Sequence, residues 1–246
     1  MIGRSTVQAA QGEPLLAWMI FTGVCVFAFV LLWYFGLAER MVTGDRTYIS
    51  SIIAVLYVAA SLHCVWRIIV VQRESAAALT VAAAVRTRNR TGATAAADPP
   101  RGLVARHIRD LTTKAALQGA ARLDQTLLLR VLAERLRGSN HFGAFASDTL
   151  MKLGLLGTII GFIMMLVPIA GLDTEDRGAV KSSMALMSDG MAVAMYTTLA
   201  GLVGSILLKV QYYVLDSATA RLFTFAVDLT EVHVVSVLER GGGAAE

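Results

Sequence analysis

Gly154-Leu-Leu-Gly-Thr-Ile-Ile-Gly161 and Gly190-Met-Ala-Val-Ala-Met-Tyr-Thr-Thr-Leu-Ala-Gly201 are the two stretches of sequence that decide the fold. The first stretch lies within an uncharged apolar run at residues 153–172. All of the second stretch except Gly190 lies within another such run, at residues 191–208. Each run is close to the roughly 20 residues that an α-helix needs to cross a bilayer. The two stretches therefore predict a pair of membrane-spanning helices in the second half of the chain.

Two further apolar runs precede this pair. Residues 15–37 carry no charge, and residues 48–71 are interrupted only by Arg67, whose charged end we expect to reach the membrane surface. Pro14 is expected in the first turn of the first helix, where its missing N–H removes no hydrogen bond. His63 fits a hydrogen-bonded packing residue better than a proton relay. The chain is predicted to be an all-α membrane protein with four transmembrane helices.

The composition excludes an ordinary soluble domain. Apolar residue types make up 56% of the 246 residues, charged residues make up 16%, and the mean hydropathy is +0.62. The basic pI does not indicate nucleic-acid binding, because twelve of the 22 lysines and arginines lie between Gln72 and Asp148. A basic region of this kind is typical of a cytoplasmic segment in a membrane protein. Cys25 and Cys64 both lie in apolar runs and are not expected to form a disulfide.

The basic region determines the predicted topology, since lysine and arginine are retained on the cytoplasmic side. Both termini are then cytoplasmic, and the loops at 38–47 and 173–189 face the outside. The first apolar run is not followed by a clear signal-peptide cleavage site. We predict a multi-pass membrane protein with five segments: a cytoplasmic N-terminus at 1–14, a transmembrane hairpin at 15–71, a cytoplasmic helical region at 72–148, a second transmembrane hairpin at 149–210, and a cytoplasmic helix and tail at 211–246.

The cytoplasmic segments are predicted to be largely helical. One helix is expected over residues 101–137, where apolar residues recur at near-helical spacing: Ala116, Ala120, Leu123, Leu127 and Val131. Another helix is expected at 211–238 and a disordered end at 241–246. A turn or loop is expected over 87–100, where basic residues can contact anionic lipid.

Small and hydroxyl-bearing residues form a stripe along each of the last two predicted helices. The stripes consist of Gly154, Thr158, Gly161 and Met165 on one helix, and of Ala194, Thr198, Gly201 and Ser205, extended by Lys209, on the other. Small residues allow helices to pack closely in lipid, which is one interpretation of both stripes. The other interpretation is that the threonines face a polar crevice and a partner helix. Spacing alone leaves both interpretations open.

No aspartate or glutamate lies within any of the four predicted spans. A protein that carries protons or sodium ions through a membrane usually has such a carboxylate, so a conducting chain would need the acid from another protein. The same absence argues against a self-contained transporter. The sequence shows no nucleophile–base pair, metal-ligand cluster or phosphate-binding loop. Neither an enzyme nor a cofactor is therefore predicted.

The two quoted stretches resemble the third-span and fourth-span signatures of the MotA/TolQ/ExbB family. The resemblance is specific over roughly residues 150–213, and the two spans before the cytoplasmic region are similar to the flagellar stator branch. It implies a bacterial inner-membrane complex in which a homopentamer of A subunits surrounds a dimer of single-span B subunits. Each B subunit would carry a transmembrane Asp and a periplasmic domain. Flow of protons or sodium ions would load that Asp and rotate the pentamer.

The resemblance also implies roles for single residues. Thr158 and Thr198 match pore-facing threonines that hydrogen-bond water, the ion or the partner's carboxylate. The Thr197–Thr198 pair resembles that of sodium-type stators. The transported ion is therefore equally expected to be H⁺ or a Na⁺ ion held by Thr158, Thr197 and Thr198. Lys209 would either line the inner mouth or extend to lipid headgroups. Packing along the pore face is implied for Gly154, Gly161, Ala194, Gly201 and Ser205.

Some positions depart from the family pattern. Met151 and Lys152 occupy the place of a common proline, and Gln211 occupies the place of another. The cytoplasmic region is also short for a flagellar stator, so these differences argue against a flagellar role while leaving the ion-driven core intact. The alternative interpretation is a non-conducting membrane scaffold with the same helices.

Overall fold

The computed structural model describes residues 4–36, 48–91, 102–118, 125–170 and 177–236. Every regular element in these ranges is helical and none is a strand, which confirms the predicted all-α class. The α-helices of the described ranges are α1 (Arg4–Tyr34), α2 (Ile49–Thr91), α3 (Leu103–Gln118), α4 (Thr126–Arg137), α5 (His141–Ala170) and α6 (Arg177–Thr230). A 3-10 turn at Gly138–Asn140 precedes α5, and a π-helical turn at Glu231–Val235 follows α6. The predicted loop at 38–47 and tail at 241–246 lie outside the described residues, as do residues 92–100 of the predicted loop at 87–100.

Three helices within the described ranges are long and apolar enough to cross a membrane. The candidate spans are Ile49–Val85, His141–Ile169 and Val180–Val235. A shorter apolar helix, Leu16–Leu31, lies where the first span is predicted. The chain is therefore a helical membrane protein with three candidate spans and one additional apolar helix.

Two helices are longer than the sequence pattern predicts. α2 continues from the second predicted span through an alanine-rich segment, because no glycine or proline occurs between Ile49 and Thr91. α6 begins at Arg177 and includes the separate helix predicted after residue 210. The prediction of a loop at residues 173–189 is therefore wrong over residues 177–189, which belong to α6. The prediction of a turn or loop at residues 87–100 is wrong over residues 87–91, which belong to α2.

The first helix also starts earlier than expected. α1 begins at Arg4, so Pro14 lies inside the helix and not in its first turn. Glutamine, alanine and glutamate are good helix formers, and they dominate residues 8–13. The polar residues before Pro14 therefore belong to the helix, and the change from polar to apolar residues does not mark where the helix begins.

The chain forms two compact units. We call Ala17–Val65 together with His141–Tyr213 the span unit. We call Met1–Leu16, Trp66–Asn140 and Val214–Glu246 the extension unit. The two glycine-rich stretches belong to the span unit, whereas α3 and α4 belong to the extension unit.

α3 and α4 are a packed pair of helices inside the extension unit. Gln125 just before α4 is not helical, so the single helix predicted over 101–137 is wrong. Gly119 follows α3 in the sequence, and glycine commonly ends helices. The break also changes which residues face inward: Leu132 is buried, whereas Leu127, predicted for the apolar face, is 70% exposed.

The π-helical turn after α6 packs against this pair. Val235 joins Leu111 and Ala115 of α3 in a small apolar core, against which Leu128 of α4 also packs. The side-chain amide of Gln125 donates a hydrogen bond to the carboxylate of Glu231. The extension unit is therefore held by contacts among α3, α4 and the last described turn.

Arg67 is engaged inside the extension unit, which differs from the expectation that it reaches the membrane surface. Its Nη2 donates hydrogen bonds to the carbonyl oxygen of Leu136 (3.1 Å) and to Oδ1 of Asn140 (3.3 Å). Nδ2 of Asn140 in turn donates to the carboxylate of Asp216 (2.7 Å). These contacts link α2, the end of α4 and α6, so the guanidinium has a structural role.

α5 and α6 run antiparallel in the span unit and touch through their backbones. A methyl group at Gly161 would lie 2.6 Å from the carbonyl oxygen of Gly190. A methyl group at Gly201 would lie 2.7 Å from the carbonyl oxygen of Leu150 and from Cα of Gly154. Distances this short leave no room for a side chain, and they match the close approach that small residues allow between membrane helices.

The glycine contact leads to a stability prediction. Gly161→Ala should destabilise the span unit by about 1–3 kcal/mol, because the added methyl group overpacks a backbone contact. Gly204→Ala is the matched control, since its methyl group would lie 3.8 Å from Leu150 and 3.9 Å from Tyr57, which is ordinary contact. Thermal unfolding of both variants in detergent tests the difference, and equal stability of the two would contradict the contact.

His107 of α3 is buried in the extension unit with an unsatisfied nitrogen. The residue is 4% exposed, and its Nε2 has no hydrogen-bond partner. It lines a cavity of about 20 Å³ together with Asp110 of α3 and Arg135 of α4. Burial lowers the pKa of His107 below its ordinary value of 6.5, and the carboxylate of Asp110 offsets only part of that effect.

The lowered pKa predicts that acid loosens the α3–α4 pair. The unfolded histidine binds a proton near pH 6.5 and the buried one only at lower pH, so stability falls as the pH drops below 6.5. Amide hydrogen exchange of α3 and α4, corrected for intrinsic exchange rates, should show the loss of protection. His107→Leu should abolish the dependence, and a variant that keeps the same pH profile would exclude His107 as its source.

Candidate functional site

The two adjacent threonines of α6 face different surroundings. Thr197 is fully buried, packs on Gly157 of α5, and donates its hydroxyl hydrogen to the carbonyl oxygen of Val193 (2.8 Å). Thr198 is exposed and donates to the carbonyl oxygen of Ala194 (2.9 Å). Successive residues of an α-helix are turned by about 100°, so packing one of the pair directs the other outward.

Thr158 lies on α5 and is half-buried. Its hydroxyl donates to the carbonyl oxygen of Leu155 (2.6 Å). Each threonine hydroxyl therefore uses its hydrogen within its own helix and keeps oxygen lone pairs as acceptors. Such an acceptor suits a water molecule, a protonated carboxyl group or a cation.

A surface groove of about 260 Å³ runs beside Thr198 in the span unit. Its lining residues are Asp148, Met151, Lys152, Leu155, Thr198 and Leu202. Thr197 and Thr158 are not among them, so the structure does not bring the three predicted threonines to one groove. The walls are mostly apolar, and the polar groups are Thr198 and the two charged residues Asp148 and Lys152.

Lys209 pairs with a residue of the same groove. Its Nζ lies 3.5 Å from Oδ1 of Asp148, and the two side chains are 55% and 60% exposed. An ion pair this exposed contributes only about 0–1 kcal/mol in water, so stability alone gives little reason for it. Lys209 was predicted either at an inner mouth or at headgroups, and its observed partner is a carboxylate on α5.

Asp148 was missed as a site residue because it was assigned to the cytoplasmic region. A sequence signal was available. Residues at three- and four-residue spacing share one face of a helix, and the groove residues of α5 have this spacing: Asp148, Met151, Lys152 and Leu155. Its pairing with Lys209 could not be read from the sequence, because it depends on how α5 and α6 pack.

Four of the small residues predicted to pack lie where α5 and α6 touch. Methyl groups at Gly154, Gly161 and Gly201 would meet the backbone of the opposite helix, and the Cβ of Ala194 is 2.8 Å from a methyl group placed at Gly161. Ser205 is buried, with 3% of its surface exposed. The assignment of these five residues to a pore face stays a prediction.

A polar network in the span unit joins α2 to α6. Nδ1 of His63 lies 2.8 Å from the hydroxyl of Tyr212, and Nε2 of Gln211 donates to the hydroxyl of Tyr57 (3.2 Å). The ring of His63 also packs edge-on against Phe142. These contacts agree with the expectation that His63 is a hydrogen-bonded packing residue.

The two cysteines of the described part of the chain are not joined by a disulfide. Cys64 is buried, and its thiol donates a hydrogen bond to the carbonyl oxygen of Gln211 (3.6 Å). Among the residues that the structure describes, no three histidine, cysteine or carboxylate side chains gather to hold a metal ion. The polar groups of the site are the hydroxyl of Thr198, the carboxylate of Asp148 and the ammonium groups of Lys152 and Lys209.

Comparison with known proteins identifies the family. Residues 100–225 match the family model described as the MotA/TolQ/ExbB proton channel family. No curated protein and no solved structure matches the chain significantly. The matched segment contains both glycine-rich stretches and every residue of the groove, and it covers 126 of the 246 residues. The chain therefore belongs to the MotA/TolQ/ExbB proton channel family.

Proposed function

We propose that the chain is the ion-conducting A subunit of a motor complex in the bacterial inner membrane. In this proposal its four spans assemble as a pentamer around a dimer of single-span B subunits. Ion flow past the B subunits' transmembrane Asp rotates the pentamer, and the B subunits' periplasmic domains transmit the work to the cell envelope. The observation that carries the proposal is the exposed hydroxyl of Thr198 beside a groove, in a member of a proton channel family.

The charge pattern of the spans supports the need for a partner. The predicted spans contain no aspartate or glutamate, so the chain offers an ion hydroxyl oxygens and no fixed negative charge. Crossing the membrane without a compensating charge is costly for any ion. A carboxylate on a neighbouring helix would supply the missing charge, and the hydroxyl oxygen of Thr198 would accept a hydrogen bond from its protonated form.

The exposed apolar surface of α5 and α6 supports assembly in a membrane. Large side chains on both helices are exposed, including Leu155 (63%), Phe162 (54%), Met195 (66%) and Leu199 (56%). In a single copy in water these side chains would be unfavourably hydrated. Lipid, neighbouring copies and the partner's helix would all cover them.

The position of Thr197 favours protons over sodium ions. A sodium ion needs several oxygen ligands around one point, and the Thr197–Thr198 pair was the sequence argument for such a site. The hydroxyl of Thr197 is buried against Gly157, and that of Thr198 is exposed. We therefore propose H⁺ as the transported ion and assign Thr197 to packing.

Removal of the Thr198 hydroxyl tests the ion path directly. Thr198→Ala should lower proton influx roughly fivefold, as expected for a lost hydrogen bond of about 1 kcal/mol, and Thr198→Ser should retain most of it. The measurement uses vesicles that contain the chain with its single-span partner and a pH-sensitive dye. Thr224→Ala is the matched control, because Thr224 is exposed on the same helix and donates to Ala220 in the same way.

The scaffold alternative makes a different prediction. A non-conducting scaffold tolerates Thr198→Ala and Thr224→Ala equally and gives vesicles no influx above that of empty ones. Native mass spectrometry of the chain, co-expressed with a single-span protein encoded beside it, tests the assembly. Five copies with two partner copies support the motor, and a monomer, a dimer or an assembly without a partner excludes it.

A further inference from the structure

The groove beside Thr198 leads to a carboxylate on the neighbouring helix. Gly154 of α5 lies level with Thr198, since a methyl group on Gly154 would be 3.5 Å from the Cα of Thr198. Asp148 is six residues earlier on α5, which corresponds to about 9 Å along the helix axis. Thr198 and Asp148 both line the groove of about 260 Å³, which has room for several water molecules.

The walls between Thr198 and Asp148 are mostly apolar. Met151, Leu155 and Leu202 line the groove and offer water no strong hydrogen-bonding groups, and Lys152 is the charged exception. A proton moving along the groove therefore finds acceptor oxygens on Thr198 and on Asp148. Lys209 adds positive charge beside Asp148.

We propose that Asp148 is a proton-relay carboxylate at the cytoplasmic end of the ion path and that Lys209 positions it. The proposal rests on the proposed function, because it assigns the step that follows passage of a proton past Thr198. The cytoplasmic direction follows from the predicted topology, in which the region before residue 149 lies inside.

The relay step is a simple proton transfer. A hydronium ion in the groove transfers its excess proton to the carboxylate of Asp148: one O–H bond of the hydronium breaks, one O–H bond forms on the carboxylate, and a water molecule remains. The neutral carboxylic acid then transfers that proton to cytoplasmic water: its O–H bond breaks, the water becomes hydronium, and the carboxylate regains its negative charge. The net result is the movement of one proton from water in the groove to water in the cytoplasm.

Lys209 has a positioning role in this step. Its Nζ is 3.5 Å from Oδ1 of Asp148, so it holds the carboxylate beside the groove between transfers. A lysine cannot accept a proton in its charged form, so it does not compete as a relay. Lys209 follows Thr198 by eleven residues on α6, which separates their backbones by about 16 Å along the helix axis.

The competing interpretation is that Asp148 and Lys209 serve only as a structural ion pair. Under that interpretation either single substitution leaves an unpaired charge, and removing both charges restores wild-type behaviour. A relay predicts a different pattern, because the carboxylate is needed whether or not the lysine is present. The double variant therefore separates the two interpretations.

The experiment measures proton influx in vesicles that contain the full chain and its single-span partner. Asp148→Asn should lower influx by roughly 10²-fold, the scale of a lost proton-transfer group, and Asp148→Glu should restore it. Lys209→Gln should reduce influx less, with rescue by Lys209→Arg. The double variant Asp148→Asn with Lys209→Gln should stay as low as Asp148→Asn alone. Native mass spectrometry of each variant checks that the assembly is intact.

The outcomes distinguish this proposal from the function on which it rests. If wild-type influx exceeds that of Thr198→Ala while Asp148→Asn conducts like the wild type, the relay is overturned and the proposed function stands. Recovery of influx in the double variant likewise overturns the relay in favour of a structural pair. If the wild-type chain gives no influx above empty vesicles, the proposed function fails and the relay fails with it.

Discussion

The backbone contact between α5 and α6 is the constraint on which the site depends. Gly161 meets the backbone of Gly190, and Gly201 meets that of Gly154, at distances that exclude any side chain. A helix pair that touches at these points has little freedom to rotate, because rotation of either helix would bring a Cβ into the other. The contact therefore fixes which residues of each helix face inward and which face outward.

The burial of Thr197 and the exposure of Thr198 both follow from this constraint. With the glycines in contact, the inward direction of α6 passes through Thr197, which fills the space that Gly157 leaves open. Thr198 is then turned outward and lines the groove with Asp148. Two chemically identical neighbours in the sequence thus have different roles, one in packing and one at a surface open to water, ions or a partner.

Much of this fold was predictable from the sequence, because apolar runs and small-residue stripes report directly on membrane helices and their packing. The helix ends were less predictable, since a change from apolar to polar residues does not end a helix; α2 continues to Thr91 for lack of a glycine or proline. The break between α3 and α4 was missed because periodicity was fitted across Gly119. The pairing of Lys209 with Asp148 needed the packing of α5 on α6, which no local pattern contains.

The hydroxyl chemistry of the site fits the absence of a carboxylate from the apolar stretches at residues 153–172 and 191–208. Thr158 and Thr198 both donate their hydrogens to backbone carbonyls of their own helices, so each presents only acceptor lone pairs. Neutral acceptors bind a proton-bearing group weakly, and weak binding allows release, which conduction requires. A fixed carboxylate inside the span would hold a proton more tightly and would attract the cationic residues of the same chain. In the proposed motor the strong acceptor belongs to a separate partner that moves relative to this chain, so the proton's binding site would change its surroundings and take up and release the proton at different positions of the same pathway.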